Sequence, residues 1–394
     1  MSEKTPAVAL GSVLHRSVRV ADLDPKKTYK QIKVRMHNRG LKLRGYVTGK
    51  DVLCSRQFLV NDGQFLVARI GAANGAVGLV PHELDGAIVS SDFWVFECDK
   101  ERLMPEFLEL WGRTVIFRAA CEGASSGTTR VRLQEEEFLR TAIPLPPIRE
   151  QRRIVARIEQ LAAKIEEARH LRRQTTEEAA AAMSAVMREV FRPGQGFEEV
   201  LLETTCAEII DNLHSNPIYA DDGLPCVRSP DVGWGKLHLE TALKTSEEEY
   251  IRRTVRGVPK ANDIVLVREG GGTGKAAIVE EGQKFSLGQR VMMLRPNQTT
   301  IHPKFLLYQL LSPAVHEDQI LPLSKGSASP HLNIGALRKF KFLLPPVAEQ
   351  RRIVAYLDGL QAKVDTLKKL QAETAAELDA LLPSILDRAF RGEL

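Results

Sequence analysis

From Pro147 onward the chain carries small and apolar residues in the four-three spacing of a coiled-coil seam: Ile154, Ile158, Leu161, Ile165 and Ala168, then Thr175, Ala179, Ala182 and Val186. The same spacing returns at Ile353, Leu357, Leu360, Val364 and Leu367, then Thr374, Leu378, Leu381 and Ile385. Both runs predict long helices, and about 40 residues at 1.5 Å rise make a rod of about 60 Å. One small domain cannot cover so long a stripe, so each rod needs a partner helix. A proline at each helix start and a glutamate in its first turn suit the fixed φ and the positive end of the helix dipole. Pro383, which stands in the second rod at the place of Ser184 in the first, predicts a kink or restart there.

The helix starts are near-copies. Pro146-Pro147-Ile148-Arg149-Glu150-Gln151-Arg152-Arg153-Ile154-Val155-Ala156 returns 199 residues later as Pro345-Pro346-Val347-Ala348-Glu349-Gln350-Arg351-Arg352-Ile353-Val354-Ala355, and the register holds without a gap to Phe191-Arg192 and Phe390-Arg391. Before each rod the pattern is mixed. Strands are predicted at Gln31–Arg35, Gln64–Ile70 and Asp92–Glu97, then at Cys226–Arg228, Asp263–Arg268 and Arg290–Leu294. Helices are predicted over Met104–Phe117 and Lys304–Leu311, and the glycine-rich intervals Gly71–Gly78 and Gly123–Gly127 read as loops. Fainter echoes at the same spacing link Arg69-Ile70-Gly71 to Arg268-Glu269-Gly270, and Ser125-Ser126-Gly127 to Ser324-Lys325-Gly326. The expected fold class is α+β: two similar domains (1–145 and 193–344), each followed by a long helix (146–192 and 345–394). The two helices are expected to pair as an antiparallel coiled coil with pseudo-twofold symmetry.

Composition narrows the function without naming it. A chain that is 43% apolar and 27% charged has ample core material, and a formal net charge of +5 only mildly favours a polyanionic partner. Five scattered cysteines without a C-x-x-C pair argue against a zinc site or a disulfide framework. The first residues lack the apolar core of a signal peptide and no run of about 18 apolar residues occurs, so a soluble, cytoplasmic protein is expected.

Catalytic motifs fail on inspection. In Glu269-Gly270-Gly271-Gly272-Thr273-Gly274-Lys275-Ala276 a glutamate replaces the first glycine of a P-loop and Ala276 lacks the magnesium-binding hydroxyl. Asn216-Pro217-Ile218-Tyr219 resembles the Asn-Pro-Pro-Tyr motif with which amino-methyltransferases hold a flipped base, but no cofactor loop accompanies it. No close metal-ligand grouping is present among the nine histidines, so neither a metal, a cofactor nor an enzyme activity is expected of this chain. Polar recognition remains. Basic and amide groups run from Lys26 to Arg44, and alternation in the predicted strand puts Lys33 and Arg35 on one side, where phosphate contacts are expected, with Asn38 close by. Arg228, Arg268 and Lys275 supply the same chemistry in the second half. The hydroxyl-rich, basic loops around Ser125, Thr128, Arg130 and Arg132, and around Lys325, Ser327 and Ser329, suit base edges or phosphates.

Two diverged domains, each leading into a Pro-Pro-x-x-Glu-Gln-Arg-Arg-Ile-Val-Ala helix, with the chain ending in Ser384-Ile385-Leu386-Asp387-Arg388-Ala389-Phe390-Arg391-Gly392-Glu393-Leu394, resemble the specificity subunit of type I restriction-modification systems. The resemblance covers essentially the whole chain. The stretches Val67–Ala76, with Arg69 and Asn74, and Val265–Gly270 also look like recurring pieces of that family's target recognition domains. The resemblance implies a non-catalytic subunit that reads an asymmetric, two-part sequence in double-stranded DNA, one half-site per domain. It also implies partners: methyltransferase subunits, which would bind S-adenosylmethionine, and restriction subunits in the full complex. Glu150, Gln151, Arg152, Arg153, Glu349, Gln350, Arg351 and Arg352 are the expected partner-docking residues. A stand-alone DNA-binding or scaffold protein of the same fold is the alternative.

Overall fold

The structure, a computed structural model, describes residues 6–52, 56–126, 132–194, 196–324 and 331–394. It divides into two compact units. The first holds residues 1–172 and 371–394, the second residues 173–370. Each unit therefore contains one α+β domain, the beginning of the helix that follows it, and the end of the other long helix.

In the first unit a four-stranded antiparallel sheet runs in the order Leu14–Ser17, Phe93–Cys98, Phe65–Ala68, Val77–Leu79. Its central strand Phe65–Ala68 is buried at every position, because both faces are covered. Phe65, Val67, Trp94 and Phe96 face a helical layer built on Phe107, Trp111, Phe117 and Phe138, while Leu66 and Val95 face a second sheet through Ile32, Val60 and Val89. That second sheet joins Leu41–Thr48, Thr28–Val34, Ile88–Ser90 and Gln57–Leu59. Ala7–Ala9 pairs with Ala142–Pro144 and brings the domain's two ends together at the helix start.

The second unit uses the same frame. Cys206–Ile210, Val291–Pro296, Ile264–Val267 and Ala276–Ile278 form its four-stranded sheet, whose last two strands stand 199 residues after their counterparts Phe65–Ala68 and Val77–Leu79. Glu198–Leu201 and Lys341–Leu344 close the domain. Its second sheet, Tyr219–Ala220, Lys244–Thr245, Leu224–Val227 and Ser286–Leu287, differs from that of the first unit.

Three helices serve as the rods: α1 (Ile148–Val190), α2 (Val347–Glu373) and α3 (Ala375–Phe390). Inside the first unit α1 and the end of the chain run antiparallel. Arg153 donates to the Leu394 carbonyl at 2.8 Å, Arg169 meets Asp379 at 2.7 Å, and Arg172 donates to Thr374 Oγ1 at 2.6 Å. Ile154, Val155 and Ile158 share the first domain's core with Leu386, Ala389 and Phe390, and the Phe390 ring lies 4.8 Å from Phe107. In the second unit Met187 and Phe191 join Ile353, Val354 and Leu357 in that domain's core.

Several expectations are corrected. The second rod breaks at Thr374, where the backbone leaves helical geometry (φ −95°, ψ 2°), and not at Pro383, which stays inside α3. Burial of Leu386, Ala389 and Phe390 in the first domain holds the turns that follow the proline. Most expected seam positions in the later turns stay partly covered, among them Ala179, Val186, Thr374, Leu378 and Ile385, but Thr175, Ala182 and Leu381 are exposed while their neighbours Thr176, Met183 and Leu382 are partly covered. The Met104–Phe117 helix is two helices, Pro105–Trp111 and Val115–Gly123, the second capped by the Thr114 side chain on Phe117 N–H at 3.1 Å. The Gly71–Gly78 interval is a tight turn running into the strand Val77–Leu79.

Gln151 and Gln350, grouped by sequence with the docking residues, turn inward and are fully buried. Gln151 Oε1 accepts from Met104 N–H at 2.9 Å, and its amide donates to the carbonyls of Arg102 at 2.7 Å and Pro146 at 2.8 Å. Gln350 repeats the pattern with His302 N–H at 2.7 Å, Thr300 O at 3.0 Å and Pro345 O at 2.8 Å. Cys98, Cys121, Cys206 and Cys226 are free thiols; burial pushes Cys98 and Cys121 up to about 12 and Cys206 up to about 11, which leaves them unreactive. Cys54 lies outside the described residues.

Replacing Gln350 with Leu should lower stability by about 1–3 kcal/mol, because a buried N–H and two carbonyls lose their partner. Urea denaturation read by circular dichroism measures this, and an unchanged midpoint would remove the glutamine from the fold's main supports. Phe390→Ala should cost about 3–5 kcal/mol by emptying a ring-sized space in the first domain.

Candidate nucleic-acid interface

The strands Thr28–Val34 and Leu41–Thr48 form a hairpin with two unlike faces. Ile32, Val34, Leu41 and Leu43 pack on the domain, while Lys33, Arg35, Lys42 and Arg44 are exposed. Lys33 sits directly across from Lys42, a like-charge pairing that costs stability in isolation. None of Lys33, Arg35, Lys42 and Arg44 has a carboxylate partner among the described residues. The hairpin tip is held down by its backbone. His37 and Asn38 adopt positive φ (60° and 56°), and their N–H groups donate to Asn74 O at 2.7 Å and Gly75 O at 3.2 Å. Gly75 is required there: a Cβ would lie 2.2 Å from Asn38 Oδ1. Asn38 and Asn74 thus brace the tip; Arg35 donates to the Arg39 carbonyl within it, and Lys33 is exposed on the polar face.

The two hydroxyl-rich loops depart from equivalent places. In the first domain the chain returns through Arg132–Leu133, and Leu133 N–H donates to Arg69 O at 2.9 Å. In the second, Leu332 N–H donates to Arg268 O at 2.8 Å, with both residues 199 positions further on. Thr128, Arg130, Lys325, Ser327 and Ser329 lie outside the described residues. Ser125, at the loop's first edge, donates its hydroxyl to Cys121 O at 2.6 Å.

At the loop bases the side chains diverge. Arg69 lies 5.3 Å from the Trp94 ring centroid, and Arg132 is 3.5 Å from Asp92. Arg268, by contrast, is buried; its guanidinium donates to Asp211 and to His331 Nε2, the latter at 3.0 Å, and His331 Nδ1 meets Glu269 at 2.6 Å. Burial works to raise the Asp211 carboxyl, but hydrogen bonds from His214 and Arg268 outweigh it and hold it below the usual range. Arg268 therefore anchors the returning loop, and the sequence reading of it as a surface contact is corrected.

Arg228 and Lys275 come together in a cleft of about 510 Å³, lined also by Tyr219, Gln289 and Arg290 and floored by Gly270–Gly272. Arg228 lies 5.8 Å from the Tyr219 ring centroid, and Gln289 donates to Asn216 Oδ1 at 2.8 Å. The glycine run joins two antiparallel strands, Ile264–Val267 and Ala276–Ile278, so it is a hairpin turn and not the strand-to-helix turn of a P-loop. Gln289 and Arg290 were not singled out from sequence. Single polar residues next to a strand carry no pattern of their own.

At the helix starts Glu150 pairs with Arg153 at 2.7 Å and Glu349 with Arg352 at 2.6 Å, each on the exposed side. These hydrogen bonds hold both carboxyls below their ordinary range. Arg152 and Arg351 are exposed beside them. No group of three His, Cys, Asp or Glu side chains among the described residues could hold a metal, and no helix among them is long and apolar enough to cross a membrane.

Two α+β domains share one sheet frame, and each is rooted in a long helix. The chain belongs to the family of the type I restriction modification DNA specificity domain, whose model matches residues 19–173 and 245–375. Among its relatives, the type I restriction enzyme EcoBI specificity subunit of Escherichia coli is 28% identical over 307 residues, which cover 71% of this chain and 64% of that protein. The MjaVIII specificity subunit of Methanocaldococcus jannaschii is 22% identical over 376 residues, covering 89% and 84%. The chain thus spans just under two thirds of the EcoBI subunit's length. The crystal structure of the HsdS subunit from Thermoanaerobacter tengcongensis superposes with a TM-score of 0.65 at 29% identity, covering 99% of this chain and 97% of that one. A chain from a structural study of assembly and conformational transition in a type I R-M system gives 0.74 at 28%, covering 99% and 98%.

Lys33→Ala and Lys42→Ala should each weaken DNA binding by a similar factor on every sequence and lower the slope of log affinity against log salt by about 0.9. Anisotropy titrations at several salt concentrations test this. A loss confined to one sequence would mark a base contact instead.

Proposed function

We propose that this chain is the non-catalytic DNA specificity subunit of a type I restriction-modification complex. Residues 1–145 and 193–344 are its target recognition domains, and 146–192 and 345–394 its spacer helices. Each domain reads one half-site of a bipartite target in double-stranded DNA. The observation that carries this reading is the repeated loop suspension, Leu133 on Arg69 and Leu332 on Arg268, on a shared sheet frame. The same scaffold presents two different loops, so the two half-sites differ and the target is asymmetric. The exposed Glu150–Arg153 and Glu349–Arg352 pairs, with Arg152 and Arg351, offer methyltransferase subunits two chemically matched docking points. Those subunits would bind S-adenosylmethionine and carry out methyl transfer in the cytoplasm, with restriction subunits joining the full complex.

Co-expression with the cognate methyltransferase subunit, followed by genome-wide modification mapping, tests the proposal. Methylation at a split, asymmetric motif only when both proteins are present is the expected outcome. Methylation by this chain alone would overturn it, and sequence-specific DNA binding without any effect on methylation would favour a stand-alone DNA-binding protein. Inserting one heptad after Ala168 should lengthen the unread gap between half-sites and leave both half-sites intact. Arg130→Ala should relax one half-site only, by about 1–3 kcal/mol if it contacts a base in bidentate fashion.

A further inference from the structure

At the base of the first domain's loop two guanidinium groups, Arg16 and Arg69, lie against one indole, and a third arginine, Arg132, stands at the loop's returning edge. Arg16 lies 5.5 Å from the ring centroids of both Trp94 and Phe96, and Arg69 lies 5.3 Å from that of Trp94. Arg132 follows the loop directly, and its neighbour Leu133 is hydrogen-bonded to the Arg69 carbonyl. Two carboxylates answer these three cations. Glu135 is 3.3 Å from Arg16, and Asp92 is 3.5 Å from Arg132. Arg69 has no carboxylate partner among the described residues. Arg16 Nε and Nη1, Arg69 Nε and Arg132 Nε are also buried with no hydrogen-bond acceptor among the described residues, a state that the second domain shows only at Arg268 Nε among its arginines. Donors left so are costly, and a group of them converging with surplus positive charge is suited to an anion.

The second domain shows what the same frame looks like when the charge is satisfied from within. Ser17 pairs with Val95, which pairs with Leu66; Ile210 pairs with Met293, which pairs with Val265, 199 residues after Leu66. Ser17 and Ile210 are therefore equivalent, Arg16 corresponds to Ile209, and Val18 corresponds to Asp211. Where Arg69 has a second arginine beside it, its counterpart Arg268 has an aspartate. One domain has built an internal ion pair and the other a cationic seat.

We propose that Arg16, Arg69 and Arg132, walled by Trp94, form a seat for one backbone phosphate of the first half-site, with no counterpart in the second domain. The inference rests on the DNA-specificity reading above and adds to it a fixed anchor that differs between the two heads. The planar guanidinium forks suit phosphate oxygens, and a dry aromatic wall strengthens the attraction. Burial lowers the affinity of Arg16 for its proton, Glu135 opposes that, and the nearby Arg69 adds to it. An anion between the two arginines would relieve the strain.

The test uses the full-length protein and duplexes bearing the mapped target, with uncharged methylphosphonate linkages substituted one at a time. Arg16→Gln should reduce affinity about tenfold at 0.15 M salt, lower the salt slope by about one, and leave the base preference of both half-sites unchanged. One methylphosphonate position in the first half-site should cost the wild type a similar factor and cost Arg16→Gln almost nothing. Arg16→Lys, which keeps the charge, should recover most of the loss. Equal thermal midpoints for the variants exclude a folding defect, and if Arg16→Gln melts early, the methylphosphonate scan on the wild type decides the matter. The seat is overturned if wild type binds specifically but no linkage couples to Arg16, or if Arg16→Gln instead loses its methyltransferase partner with DNA binding intact. Failure of the wild type to discriminate the mapped target from random duplex would instead overturn the DNA-specificity reading itself.

Discussion

Each long helix starts against a domain whose last strand and first full helix are already in place, and one carboxamide ties these pieces together. Gln151 reaches three backbone groups in two separate segments, Arg102 and Met104 ahead of the helix Pro105–Trp111, and Pro146 at the end of the closing strand. Gln350 does the same with Thr300, His302 and Pro345. Both carboxamides are fully buried, so turning the helix on its domain would strand polar groups at about 1–3 kcal/mol each. The angle at which a spacer leaves its reading domain is thus set by hydrogen bonds of fixed direction, and apolar contact through Ile154 and Ile158, or Ile353 and Leu357, supplies the bulk of the adhesion. The repeated Glu-Gln-Arg-Arg string carries two kinds of information in four residues. Its glutamine faces in, and its charges face out.

On this shared frame the two domains solve their electrostatics differently. A β-sheet with both faces covered tolerates few polar residues, so functional charge collects at strand ends and hairpins. In the first domain that charge is left open, as the unpaired face of Lys33 and Lys42 and the arginines around Trp94. In the second it is largely consumed: Arg268 by Asp211, Arg253 by the carbonyls of Leu287, Ser215 and Leu213, and Arg295 by Asp263 and Glu208. What stays open there is the cleft with Arg228, Lys275 and Arg290 beside Tyr219 and Gln289, a mixture of cation, aromatic face and amide. The first domain therefore keeps exposed positive charge, and the second keeps a cleft of more varied chemistry.

The tandem organisation was legible because helix starts and apolar stripes are written in consecutive residues, and the 199-residue spacing carried through to the strands Phe65–Ala68 and Ile264–Val267. What could not be read was anything set by a distant partner. Leu381 and Leu382 are both leucines, and their local sequence does not decide which of them is covered; the first is exposed and the second packs against the first domain's core. Pro383 should disrupt a helix by local rules, yet Leu386 and Phe390 are seated in a core assembled from residues more than two hundred positions away. Arg268 looked like its counterpart Arg69, and a single carboxylate at position 211 reversed its role. Lys33 and Arg35 were found because strand alternation is local. Arg16 was missed because its significance lies in Trp94 and Arg69, neither of them near it in sequence.

The compact units do not coincide with the sequence halves, and this has a consequence for how the protein holds together. The first domain's core includes Leu386, Ala389 and Phe390 from the end of the chain, and the second includes Met187 and Phe191 from the end of α1. A fragment ending at Arg192 would keep Phe107, Ile154 and Ile158 but lose the ring that covers them. Each domain's apolar surface is therefore completed by the helix that starts at the other one. Loss of side-chain packing at the end of either helix therefore exposes core in a domain far away in sequence, and neither domain can change its hold on that helix end without the cost appearing in its own core.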